Sequence, residues 1–201
     1  MNESRRSNWP GYAGFFWALM YAVFVRFYQA AGGTAGLPGK FENPEGFFRA
    51  SYIAGVFIMI AGFVLLALVK PWGKIAPMWM PLFGGKKIRP FVLLIPTLAG
   101  TAFALAHGFG GEITKFLAMA DVITIHYPGW AELDDRRLAL WDVLFYEPWF
   151  IIMGILAGLT AYHYARASGI PLSVRRRCTV LFLTLVSLLI ALFVFLIILD
   201  F

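Results

Sequence analysis

LALWDVLFYEPWFIIMGILAGLTAYHYAR, residues 138–166, decides how the rest of the chain is read. It is apolar for longer than the roughly 20 residues a helix needs to cross hydrocarbon. Yet it holds Asp142 and Glu147 near its start, with Pro148 next and a G-x-x-x-G pair at Gly154 and Gly158. A carboxylate against lipid tails is costly, so it faces protein or a wet cavity. Small residues spaced by four let a second helix come close. Glu147, Ile151, Gly154 and Gly158 share one helix face, because steps of three and four return to the same side. The glutamate therefore looks into a bundle. Pro148 offers no N–H to the carbonyl of Leu144, which needs another donor.

Composition points the same way. Hydrophobic residues make up 60% of the chain and charged residues 14%, where a soluble domain carries about a quarter charged. Five runs approach spanning length: 12–31, 51–69, 90–108, 143–164 and 180–197. They predict an all-α integral membrane protein, a five-transmembrane-helix bundle forming a single domain over residues 1–201. The first run reads as a retained helix rather than a cleaved signal peptide, being long and interrupted by Arg26.

The net charge of +6 is sorted by side of the membrane, which excludes a nucleic-acid reading. With the N-terminus in the cytoplasm, the inner segments hold Arg5, Arg6, Lys70, Lys74, Lys86, Lys87, Arg89, Arg166, Arg175, Arg176 and Arg177. The outer loops hold Lys40, Arg49, Lys115, Arg136 and Arg137 together with most of the acidic residues. That asymmetry predicts N-terminus cytoplasmic and C-terminus outside, in the plasma membrane with membrane lipids as partners. Cys178 is the single cysteine, so no intrachain disulfide forms and no thiol metal cluster is implied.

Along the first span Gly14, Ala18, Ala22, Arg26 and Ala30 recur every four residues, which puts Arg26 on the small, inward face. The Gly- and Pro-rich stretch that follows reads as turns. In the loop after the second span, Trp72, Trp79 and the lysines read as an interfacial anchor. His107 shares a face with Ala104, Gly100 and Pro96, and GEITKFLAMADVI beyond it reads as a short amphipathic surface helix. In the last span Thr184, Ser187 and Ala191 mark the expected packing face. His163 reads as interfacial.

At about 1.5 Å per residue, Arg26, His107 and Glu147 come to similar depth near the outer ends of three helices, with Asp142 at the interface. Tyr28, Gln29, Tyr146 and Trp149 are close in sequence and complete the expected lining. The bland reading is an Arg26–Glu147 ion pair joining two helices. The functional one is an outward-opening polar pocket that binds a small amphiphilic or lipid-like ligand, Arg26 taking an anionic head group. Acid–base chemistry on a lipid by Glu147 or Asp142 with His107, and a role as subunit of a membrane assembly or homo-oligomer, are the alternatives. His107, His126, Glu132 and Asp135 lack metal-site spacing, and no motif implies a cofactor.

Two segments resemble a bacterial family of small multi-span membrane proteins of unknown function. That family carries an HFYWALGGTWG-type segment ending its first helix; here the text is RFYQAAGGTAGLPG, residues 26–39. It also carries a D-x-x-F/L-Y-x-P segment opening a later helix, matched by Asp142, Phe145, Tyr146 and Pro148, with Gly154 following. The chain departs where the family has histidine and tryptophan, at Arg26 and Gln29. The resemblance implies that these two helix ends matter together, and it brings no reaction with it.

Overall fold

The computed structural model describes residues 3–79, 81 and 84–199, with side chains from residue 8 onward. Its chain is mostly helical, and four helices are long and apolar enough to cross a membrane: Pro44–Val69, Pro90–Met119, Asp135–Ala167 and Leu172–Ile198. The first helix is not among them. α1 (Glu3–Tyr21) passes through a π-helical turn, Ala22–Phe27, into a single α turn, α2 (Tyr28–Ala30). Its tryptophans, tyrosines, Arg26 and Gln29 dilute its hydropathy, so packing rather than apolarity holds it. Ala18, Tyr21 and Ala22 are fully enclosed.

α3 (Pro44–Val69) opens with Pro44 in its first turn and Asn43 as N-cap, whose side chain accepts from Gly46 N at 3.0 Å. α4 (Pro90–Met119) runs on past residue 108, where a break was expected, so GEITKFLAMADVI is no separate surface helix. The polar residues there are absorbed because Lys115 is buried against a carboxylate, as described below. α5 (Asp135–Trp141) begins well before residue 143, capped by Asp134. It continues through a second π turn, Asp142–Tyr146, into α6 (Glu147–Ala167). α7 (Leu172–Ile198) closes the order.

Small residues set the packing. α6 lies along α4, with the backbone and side chain of Leu105 against Gly154 and Thr101 against Gly158. α1 fits between α3 and α6, with Gly11 and Gly14 against Leu65 and Gly62 against Ala18. α7 touches chiefly α4, through Phe193 on Gly110, and buries only Val186. Thr184, Ser187 and Ala191 are exposed, contrary to expectation. Gly110 on α4 accepts the ring of Phe193, so a large residue rather than the small ones marks the packing face of α7.

Two loops join at the end of the bundle where Arg26 and Asp142 lie. β1 (Gly39–Phe41) pairs antiparallel with β2 (Trp130–Leu133), and Lys40 meets Glu132 at 2.8 Å. Phe41 stacks on Phe47 and lies against Trp130. Gly32 and Gly36 take left-handed φ of 89° and 80° in the turns before β1, where a Cβ would be strained. At the opposite end, Trp79 of the expected anchor is exposed, while residues 80, 82 and 83 of that loop lie outside the described residues.

Candidate functional site

Both π turns border the polar cluster. The first contains Arg26, and the second begins at Asp142 and ends one residue before Glu147. A π turn widens the helix by one residue and redirects side chains, and such turns gather at functional sites. At the second, Pro148 supplies the local cause: it cannot donate to Leu144, and the Glu147 N–H reaches back five residues to the Asp142 carbonyl.

The Arg26–Glu147 pair is not what forms. Glu147 faces α4, with Oε2 3.7 Å from His107 Nε2. Its carboxyl group fills the space over Gly111, where a Cβ would collide with it. Gly108 lets the Glu147 backbone approach to 3.0 Å of a built Cβ one turn away. The imidazole of His107 is held edge-on to Phe150 at 4.5 Å and stacked on Phe103 at 5.8 Å.

Asp142 pairs instead with Lys115, at 3.5 Å, both side chains largely buried. Lys115 also lies 4.9 Å above the ring of Tyr127, whose phenol burial pushes well above its ordinary value. Removing one partner of a buried pair leaves an uncompensated charge, so this contact fastens α4 to the π turn.

Arg26 donates to Gln29 Oε1 at 3.3 Å and sits 5.5 Å over the ring of Tyr21. Among the described residues it has no ion-pair partner. Its Cβ presses on Gly55 of α3. Gln29, 2% exposed, donates to the Tyr146 hydroxyl at 3.3 Å, and that hydroxyl donates to the Ala35 carbonyl at 3.4 Å. Gln29 and Tyr146 thus bridge α2 and the second π turn.

The remaining expected residues lie at the margin. Tyr28 turns to the following loop, its hydroxyl accepting from Ala35 N. Trp149 stacks on Trp17 at 4.3 Å, each indole N–H donating to the other's backbone carbonyl at 3.1 and 3.3 Å. Sequence reasoning missed Gly111, Lys115, Tyr21 and Ser51. Ala104, Gly108, Gly111 and Lys115 continue one face at steps of four and three, a signal hidden by ending the span at Gly108. Among the described residues, no three His, Cys, Asp or Glu side chains converge for a metal ion.

Among the described residues, the buried polar atoms here that lack a hydrogen-bonding protein partner include Tyr21 Oη, Arg26 Nε, Ser51 Oγ and Glu147 Oε2. They come from the first helix, α3 and α6. Ser51 is one turn from Gly55, which touches Arg26. Beneath them, a cleft of about 350 Å³ runs between α3 and α4, with Ala18, Phe150 and Met153 as its floor.

Fold and site together define an all-helical bundle, four of its helices able to cross a membrane, with a buried cluster of ionisable side chains. No family model, curated protein or solved structure matches the chain.

Proposed function

We propose that the chain is an integral membrane protein of five spans, N-terminus cytoplasmic and C-terminus outside, seated in the plasma membrane, and that it binds a small amphiphilic or lipid-like ligand. The first helix supplies the fifth span, carried by its packing between α3 and α6. The ligand's anionic head group lies against Arg26, with His107 and Glu147 fixing its orientation. The observation that carries this reading is the set of buried polar atoms without protein partners, Tyr21 Oη, Arg26 Nε, Ser51 Oγ and Glu147 Oε2. Buried polar groups in native proteins are nearly always hydrogen-bonded, and an anionic head group supplies acceptors for the Arg26, Tyr21 and Ser51 donors, while Glu147 meets it as a protonated, donating carboxyl. An arginine inside a membrane bundle without a carboxylate partner favours an anion.

Native mass spectrometry of gently extracted protein tests the reading. A co-purifying lipid is expected, and Arg26→Gln or Glu147→Gln should lower its retention about tenfold. A co-purifying protein with no lipid would favour the subunit role instead. Unchanged retention with only a lower melting temperature would reduce the cluster to a structural device.

A second reading has one observation in its favour, the 3.7 Å approach of His107 to Glu147 in an apolar wall. That is an acid and a base in reach of one another, suited to isomerising or cyclising a lipid without a co-reactant. Under it, Glu147→Gln abolishes turnover while ligand retention persists.

A further inference from the structure

The apolar cleft beneath the polar cluster indicates what kind of amphiphile fits. Its walls are α3, with Phe57 and Ile60, and α4, with Phe103. These three side chains are more than half exposed, so the cleft opens sideways, where a bilayer would lie. α3 and α4 touch each other far less than α4 touches α6 or α1 touches α3. Gly100 has no heavy atom within 4 Å of a built Cβ. The two hydroxyls in the lining are spent on their own helix: Thr97 donates to Leu93 O at 2.7 Å and Thr101 to Thr97 O at 2.8 Å. The cleft offers almost nothing to a polar solute.

Its outer end meets the cluster. Phe150 lines the cleft and touches both the His107 ring and, at 5.3 Å, the ring of Tyr21. Arg26 lies over that same tyrosine. Along α4 the lining runs from Pro96 to Ala104, roughly 12 Å at about 1.5 Å per residue. That is most of the half-thickness of a hydrocarbon core about 30 Å across. A volume of about 350 Å³ is near the lower end for small-molecule sites. It suits one hydrocarbon chain rather than two.

We propose that the ligand is a single-chain anionic lipid that enters from the bilayer between α3 and α4, its chain in the cleft and its carboxylate or phosphate head against Arg26 and His107. This rests on the head-group reading above, and adds the chain, its number and its route.

The test uses the delipidated full-length protein in detergent, with adducts read by native mass spectrometry. The probes are hexadecanoate, a lysophosphatidate, an uncharged monoacylglycerol and a diacyl phosphatidate. Retention of hexadecanoate or lysophosphatidate is expected, the stronger of the two identifying the head. The monoacylglycerol should be held about tenfold more weakly, and the diacyl lipid should not be retained. Gly100→Leu fills open space on a helix, where leucine is the better helix former, so the fold should survive while single-chain retention falls about tenfold. If Gly100→Leu retains these lipids as well as the parent, or the diacyl lipid binds equally, the chain assignment is overturned and the head-group reading stands. If Arg26→Gln changes nothing and the monoacylglycerol binds equally, the head-group reading falls and the chain assignment stands. A parent protein that retains no probe overturns both.

Discussion

Gly111 is the residue on which the position of Glu147 depends. A methyl group there would collide with the carboxyl group, and the carboxyl is the movable end of a flexible side chain. The collision is therefore relieved by pushing Glu147 away from His107 rather than by spreading the helices. Alanine also favours the helix by up to about 1 kcal/mol over glycine, which offsets part of the strain. Gly111→Ala is expected to leave the melting temperature nearly unchanged while lowering lipid retention as Glu147→Gln does. A large loss of stability with retention intact would mean that the carboxylate is not held as described. The contrast with Arg26 is instructive. Both residues lie on faces that the four-residue spacing marks as inward, and both do turn inward, but each finds a different neighbour from the one expected.

At the scale of elements, glycine decides which helices touch. Leu105 of α4 occupies the space beside Gly154, through both its side chain and its backbone N at 3.2 Å from a built Cβ. Unlike the Gly111 case, backbone cannot step aside. Gly154→Val should lower unfolding stability by about 1–3 kcal/mol, the usual penalty for overfilling a packed interface, measured by denaturation in detergent. A neutral result would mean that α4 and α6 are not seated on one another as found. The π turns belong to this scale too. Pro148 foretells the second, since its missing N–H must disturb the ladder of α6. The first has no proline within it: its sequence AVFVRF carries no local cause, and only neighbouring helices can select it.

For the whole molecule, the sorting of basic residues sets how the bundle would sit in a membrane. The loops proposed as inner and the start of α7 gather Lys70, Lys74, Lys86, Lys87, Arg89 and Arg175 to Arg177, whereas Lys115, counted outside from the sequence, lies buried in α4 against Asp142. Its withdrawal strengthens the asymmetry. Cys178 is the single cysteine and is exposed beside the arginines, so it reports orientation directly. A membrane-impermeant maleimide should label it in inside-out vesicles and leave it untouched in right-side-out ones. The reverse pattern would invert the proposed topology and move the head-group site to the cytoplasmic side.

Sequence alone determined the class of fold and the residues worth watching. Long apolar runs can satisfy their backbone in hydrocarbon only as helices, and the rarity of charge inside them made Arg26, His107, Asp142 and Glu147 stand out. The small-residue faces were legible as well, because helical periodicity is a local property. Pairing was not. Whether Glu147 meets Arg26 or His107, and whether Lys115 is a loop residue or the buried partner of Asp142, depends on the rotation and height of helices far apart in sequence. Those follow from how glycines on α4 receive α6 and α7. The lateral cleft is likewise a product of two helices touching only sparsely, which no single segment encodes.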